Sequence, residues 1–117
     1  MNAVRTITTE ELAAALRGAG VDQFWNVLTA DYFGGELIPG SRWVPVDTVG
    51  REVNTSQLDK DSRIVVYCSG LSCPMSRDAA GKLATLGFTN VLLFEGGLEA
   101  WTQSGRGVEI LRRATAA

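Results

Sequence analysis

Histidine is absent from this chain of 117 residues. Without an imidazole there can be no Cys-His or Ser-His catalytic pair, so a nucleophile would have to be activated by other means. Cysteine is scarce, two residues in all. Two thiols without histidine leave a zinc site dependent on carboxylates or a second chain, and neither metal nor cofactor is expected. No run of apolar residues is long enough to span a bilayer, so no membrane partner is expected. The N-terminus, "MNAVRTITTEEL", has neither a secretory apolar stretch nor a transit-peptide composition, and a cytoplasmic location is expected. There is also no excess of positive charge. Eleven basic residues are scattered, mostly singly, among thirteen acidic ones, for a net charge of -2 and a pI of about 5.0. That balance argues against a nucleic-acid surface.

What is present is globular. The chain is 45% hydrophobic and 21% charged with three prolines, a composition that can bury a core without staples. One domain over residues 1–117 is expected, with its core at about 5–110 and a fraying tail at 111–117. "TTEELAAALRGAG" sets Thr8 as an N-cap with Glu11 in capping-box position, Leu12, Ala15 and Leu16 on one face, and Gly18 and Gly20 as its stop. "QFWNVL", 23–28, is a strand, and Thr29 can cap a short helical turn after it. "RWVPV", 42–46, is a short strand whose Pro45 marks its end or an edge. A short helix is placed around 49–58.

"RIVVYC", 63–68, is a near-continuous apolar run of the kind covered on both faces. "SRDAAGKLATLG", 76–87, puts Ala79, Ala80, Leu83 and Leu86 at helical spacing and ends on Gly87. "NVLLFE", 90–95, is another strand, followed by Gly96, Gly97 and a short helix with Leu98 and Trp101. Alternating strands and helices predict an α/β fold with a mostly parallel sheet.

Both cysteines lie in "YCSGLSCPMS", 67–76. In a reducing compartment a stable disulfide is disfavoured, so the pair leans toward chemistry or burial. Cys68 ends the strongest strand and Ser76 opens the next helix, which is where ligands sit in parallel sheets. The loop between them can aim backbone N–H groups inward, and together with the helix N-terminus such a nest would lower a thiol's pKa. The alternative is a cysteine packed at a strand end.

The segment "RIVVYCSGLSCPMSRDAAGKLATLGFTNVLLFEGGLEAW" resembles the C-terminal half of a rhodanese-like domain. In that family an apolar strand ends in the active-site cysteine, followed by a loop, an alanine-rich helix, a strand, then Gly-Gly and a tryptophan. "NVLTADYFGGELIPGSRWVPV" is similar to the family's other characteristic segment. The resemblance covers the chain from Ile7 to about Val108. It implies a five-stranded, mostly parallel sheet with helices on both faces, and sulfurtransferase chemistry. By the same resemblance the nucleophile falls on Cys68, and the persulfide cradle on the backbone of Ser69, Gly70, Leu71, Ser72 and Cys73. Cys68 would take a sulfane sulfur from a small donor, thiosulfate-like or persulfide, and pass it to a thiol or cyanide.

The sequence also departs from that family. Its loop contains no Lys or Arg between Cys68 and Arg77 and is about two residues longer than usual, so a dianionic donor would find less charge assistance. A subset of rhodanese-like domains shares the pattern of Cys, four residues, Cys and then Ser. Asn26 and Leu37 stand where the family has Asp and His. Pro74 stands where phosphatase relatives carry an arginine, which sets phosphatase chemistry aside. Cys73 is a resolving thiol or a small residue of the loop wall. Ser72 and Ser76 are candidate hydrogen-bond donors to bound sulfur, with Ser76 equally an N-cap. Arg77 steers an anion or is a solvated charge.

Gly96 and Gly97 either admit close backbone approach to the site or serve an ordinary turn. Trp25, Trp43 and Trp101 are core or lid residues before they are a binding box, and Asp31, Tyr32 and Glu36 can rim a pocket. Two functions follow: a sulfurtransferase, or a catalytically weak or inactive module that binds a partner protein or senses redox state through Cys68 and Cys73.

Overall fold

The structure is a computed structural model that describes residues 4–18 and 20–111. The tail expected to fray lies outside the described residues from position 112 on. The core is organised by two strands in which every residue is buried, β5 (Ile64–Tyr67) and β6 (Val91–Phe94). Residues alternate between the faces of a strand, so both faces of this pair need cover. β1 (Val4–Thr6), β2 (Gln23–Asn26) and β4 (Arg42–Trp43) complete a five-stranded sheet in the order β1-β6-β5-β2-β4. Every pairing in it is parallel. The edge strands are short and carry exposed Arg5, Thr6 and Arg42, which protects the sheet from further pairing.

One face packs α2 (Val49–Ser56) and α3 (Met75–Thr85) onto Trp25, Ile64, Val66, Val91 and Leu93. The other packs α1 (Thr9–Arg17) and α4 (Gly97–Gln103) onto Phe24, Val65, Tyr67, Leu92 and Phe94. Each large apolar side chain buried this way contributes about 1.5–3 kcal/mol. The capping box forms as the sequence predicts: Glu11 N–H donates to Thr8 Oγ1 at 3.1 Å, and Thr8 N–H to Glu11 Oε1 at 2.9 Å. Ala13 joins Leu12 as a buried residue of α1, Leu16 packs half-buried against the same cluster, and Ala15 is half-buried. Pro45 follows edge strand β4 and leads through a 3-10 turn, Val46–Thr48, into α2.

Several expectations are corrected. β1 has only three residues, two of them exposed, and gives no periodic signal. β3 (Glu36–Leu37) pairs antiparallel with β7 (Glu109–Ile110) in a separate small sheet that no pattern announces. A single turn follows Thr29, whose carbonyl accepts from Tyr32 and Phe33 N–H, but the Thr29 hydroxyl donates to Met75 Sδ at 3.9 Å instead of capping it. Leu86 is 42% exposed, because α3 ends one residue before it. Among the described residues, no helix is long and apolar enough to cross a membrane.

Candidate active site

In an all-parallel sheet the carboxyl ends of the strands share one edge, and the segments after β2, β5 and β6 meet there. Cys68 follows β5 directly and is 1% exposed. The start of its loop is fixed by α4: Leu98 N–H donates to the Cys68 carbonyl at 3.0 Å and Glu99 N–H to that of Ser69 at 2.9 Å. First-turn amides lack partners within a helix, so here they bind a neighbouring loop. Gly97 permits this approach. Its φ is +57, and a Cβ there would overlap the Cys68 carbonyl and lie 2.8 Å from the Ser69 carbonyl carbon. Gly97 therefore serves close backbone approach to the cysteine loop, whereas Gly96 leaves room for the Ala100 side chain one turn on in α4.

The thiol environment differs from the predicted nest of amides. Cys68 Sγ lies 3.3 Å from the Cys73 carbonyl oxygen, to which its S–H donates, and 3.3 Å from Ser76 Oγ. The Cys73 N–H is already committed to the Gly70 carbonyl at 3.1 Å. Burial is the main cause that pushes the Cys68 thiol up, aided by contact with Cys73, while the hydroxyl and backbone N–H of Ser76 pull it down. The expectation of an acidic Cys68 is thus corrected, because a buried sulfur beside a carbonyl favours the neutral form. Cys73 goes the other way. Its partial burial opposes ionisation but is outweighed by hydrogen bonds from Cys68 and from the Met75 and Ser69 backbones, which hold its thiol below the ordinary range. Both cysteines are free.

Ser76 is not the N-cap: α3 starts at Met75 after Pro74, and Ser76 is buried in the first turn against Cys68. Arg77 is exposed and ion-paired with Glu95 at 3.5 Å. Gly70 packs under Glu99, whereas the side chain of Leu71 is 66% exposed. Ser72 is also exposed.

A pocket of about 440 Å³ opens beside the second half of the loop. Its apolar walls are Leu28, Tyr32, Pro74 and Met75, completed by Ser69, Ser72 and Cys73. Cys68 does not line it. Met75 joins the pocket's two sides, since its Sδ accepts from Thr29 N–H at 3.5 Å. Tyr32 is a rim residue as anticipated, while Asp31 and Glu36 are not part of the lining. A wider groove of about 660 Å³ between α2 and α3, with Arg51, Arg77 and Lys82 in its walls, touches neither cysteine.

A polar network holds the segment after β2 and β3 against the site. Buried Asn26 accepts from Leu28 N–H at 3.0 Å and donates to the Glu36 carbonyl at 3.2 Å. Tyr67 Oη accepts from Ile38 N–H at 2.9 Å and lies 2.7 Å from Ser41 Oγ. Ser41 donates its only hydroxyl proton to the Ile38 carbonyl at 2.7 Å, so Tyr67 donates to Ser41. Leu37 is buried. Trp25 and Trp101 are core, and Trp43 stacks on Phe33 with centroids 4.3 Å apart while donating to the Leu28 carbonyl at 2.7 Å. Sequence reasoning missed the Tyr67–Ser41 lock and the Leu28 and Met75 walls, because their partners lie far apart in the chain. Among the described residues, no group of three or more acidic, Cys or His side chains is placed to hold a metal.

A five-stranded parallel sheet with its cysteine loop at the carboxyl edge defines an α/β protein of the rhodanese fold. The family model described as rhodanese-like domain matches residues 8–104, and the chain belongs to that family. A rhodanese-like domain protein of Staphylococcus aureus is similar at 28% identity, over 92% of this chain and 99% of that one, with a TM-score of 0.72. A Bacillus halodurans protein is 27% identical over 89% and 75% of the respective chains, with a TM-score of 0.75. A thiosulfate sulfurtransferase of Pseudomonas aeruginosa shares the fold at 24% identity and a TM-score of 0.76. The match spans 93% of this chain but 21% of that larger one. No curated protein matches the chain.

Proposed function

We propose that this chain is a single-domain rhodanese-like sulfurtransferase working through a persulfide on Cys68. Its substrates are a small sulfane-sulfur donor and a thiol or cyanide acceptor, in a cytoplasmic setting that keeps both thiols free. The observation that carries the reading is the seat of Cys68 Sγ at the carboxyl end of β5, against the hydroxyl and N–H of Ser76 in the first turn of α3. These donors, aided by the helix dipole, stabilise negative charge on sulfur. In the first displacement the Cys68 thiolate attacks the donor's sulfane sulfur. With thiosulfate the S–S bond breaks and sulfite leaves. In the second, cyanide or a thiolate attacks the outer sulfur and Cys68 thiolate departs. Splitting the transfer in two is the advantage of covalent catalysis.

The test is intact-mass measurement with peptide mapping after exposure to thiosulfate, mercaptopyruvate or a low-molecular-weight persulfide. A gain of one sulfur on Cys68, removed by cyanide as thiocyanate, is the expected result. If no donor loads the wild type, or the sulfur maps away from Cys68, the proposal fails.

A second reading, a module that binds a partner or senses redox state, is favoured by the burial of Cys68 beside a more acidic neighbour. In that case peroxide would link the two thiols, a dithiol would restore them, and no donor would load either.

A further inference from the structure

Resting on that persulfide reading, we propose that Cys73 is the thiol that meets the donor, and that the pocket in its wall selects an organic hydropersulfide in its protonated, uncharged form. Access is the first consideration. Cys68 is 1% exposed with its sulfur against the Cys73 carbonyl, so a donor arriving from solvent meets Cys73 first. Cys73 is only half-buried and lines the 440 Å³ pocket directly. The more acidic thiol is thus also the more accessible one.

Chemistry selects the donor. The pocket walls are Leu28, Tyr32, Pro74 and Met75 with no charged side chain among them. The first cation after Cys68, Arg77, faces the other groove and is paired with Glu95. A dianion such as thiosulfate would shed water there with nothing to replace it. An alkyl or aryl group instead gains from burial, at about 25 cal/mol for each Å² covered.

The relay balances without a redox partner. Cys73 thiolate attacks the terminal sulfur of R–S–S–H, the S–S bond breaks, and R–S⁻ leaves to take a proton from solvent. Cys73 now carries the S–SH group. Cys68, releasing its proton to solvent, attacks that terminal sulfur; the bond to Cys73 Sγ breaks and the Cys73 thiolate is restored. Cys68 Sγ lies 3.3 Å from the carbonyl oxygen of Cys73 itself, which keeps the two residues side by side for the second step.

Benzyl hydropersulfide and thiosulfate are the probes, applied to the wild type, Cys73→Ser, Cys73→Ala and Cys68→Ser, with the rate of sulfur gain followed by mass and its site by mapping. The wild type should load Cys68 from benzyl hydropersulfide at least about tenfold faster than from thiosulfate, and Cys73→Ser and Cys73→Ala should lose about a hundredfold with the neutral donor, as when a reacting group is displaced. In Cys68→Ser the sulfur should stop on Cys73. Tyr32→Ala, at a 68% exposed position, should narrow the ratio between the donors.

If both Cys73 variants load Cys68 at the wild-type rate, the relay is wrong while the persulfide reading stands. Thiosulfate loading as fast as the neutral donor overturns the pocket's selectivity. A wild type that takes sulfur from neither donor overturns the persulfide reading itself.

Discussion

The loop after β5 has two halves with different mechanics. Its first half, Cys68 to Gly70, is buried or nearly so, and two amides of α4 hold its carbonyls at 3.0 and 2.9 Å. Its second half, Leu71 to Pro74, is largely exposed, and the Cys73 N–H bond to Gly70 closes it as a turn. One half places a sulfur and the other admits a molecule. On the proposed persulfide mechanism, a site built this way would keep its stored sulfur away from water while leaving a second thiol at the surface, a division that follows from where the backbone bonds fall.

The contrast is broken most severely at Gly97. Gly97→Ala sets a Cβ at φ +57 against the backbone of Cys68, Ser69 and Gly70, which cannot swing aside as a side chain can. Urea denaturation should show a loss of about 3 kcal/mol. Leu71→Ala, in the exposed half, should change stability by less than about 0.5 kcal/mol. Equal losses for the two would show that the halves are not mechanically distinct.

Next in size is Tyr67→Phe, which acts on the residue before the fixed half. The change strands the Ile38 N–H, whose residue is fully buried, and removes the donor to Ser41. A loss of about 1–3 kcal/mol is expected in the same denaturation experiment. Ser41→Ala should cost less, since Tyr67 would keep its bond from Ile38. If the two variants are equally stable, the lock does not hold the segment.

How far the sequence shows this division depends on which residues carry it. The apolar runs of β5 and β6 and the Thr8–Glu11 box are local patterns, and they form where their spacing places them. Resemblance adds the sheet's five strands and the position of Cys68 at its edge. The Gly-Gly pair before Trp101 invites a guess at close approach, yet its partner, the Cys68 carbonyl, is set by tertiary packing. The acidity of Cys68 departs from the expected nest for a related reason. Spacing suggests a nest of amides, but the Cys73 N–H is spent on Gly70, and the next peptide, Cys73–Pro74, has no N–H and turns its carbonyl toward Cys68. Such an inversion depends on one peptide's orientation, which composition does not encode. The pocket wall made by Leu28 and Met75 is invisible for want of any pattern that joins them.

The two thiols also differ in their response to pH. Burial raises Cys68 above the ordinary thiol value, whereas hydrogen bonds hold Cys73 below it. Iodoacetamide, with sites resolved by peptide mapping, should therefore alkylate Cys73 with a midpoint below that value and Cys68 with one above it. Because the folded-state pKa of Cys68 exceeds its unfolded one, its contribution to stability is complete below the ordinary thiol range and is lost as pH rises through the folded value. The reverse order of alkylation would place the accessible thiol in the wrong half.

The smallest expected effect tests whether charge alone keeps anionic donors out of the open half. Ser72 is exposed and lines the apolar pocket beside Cys73. Ser72→Arg would supply a cation between Cys68 and Arg77, where the chain has none. An exposed charge attracts an anion by no more than about 1 kcal/mol, which corresponds to roughly a fivefold faster gain of sulfur from thiosulfate at low salt. The benefit should fade as ionic strength rises and the Debye length falls below about 10 Å. Stability should stay within about 0.5 kcal/mol of the wild type, because the position bears on nothing buried. A thiosulfate rate that Ser72→Arg does not move would mean that shape, rather than missing charge, sets the donor in this half of the loop.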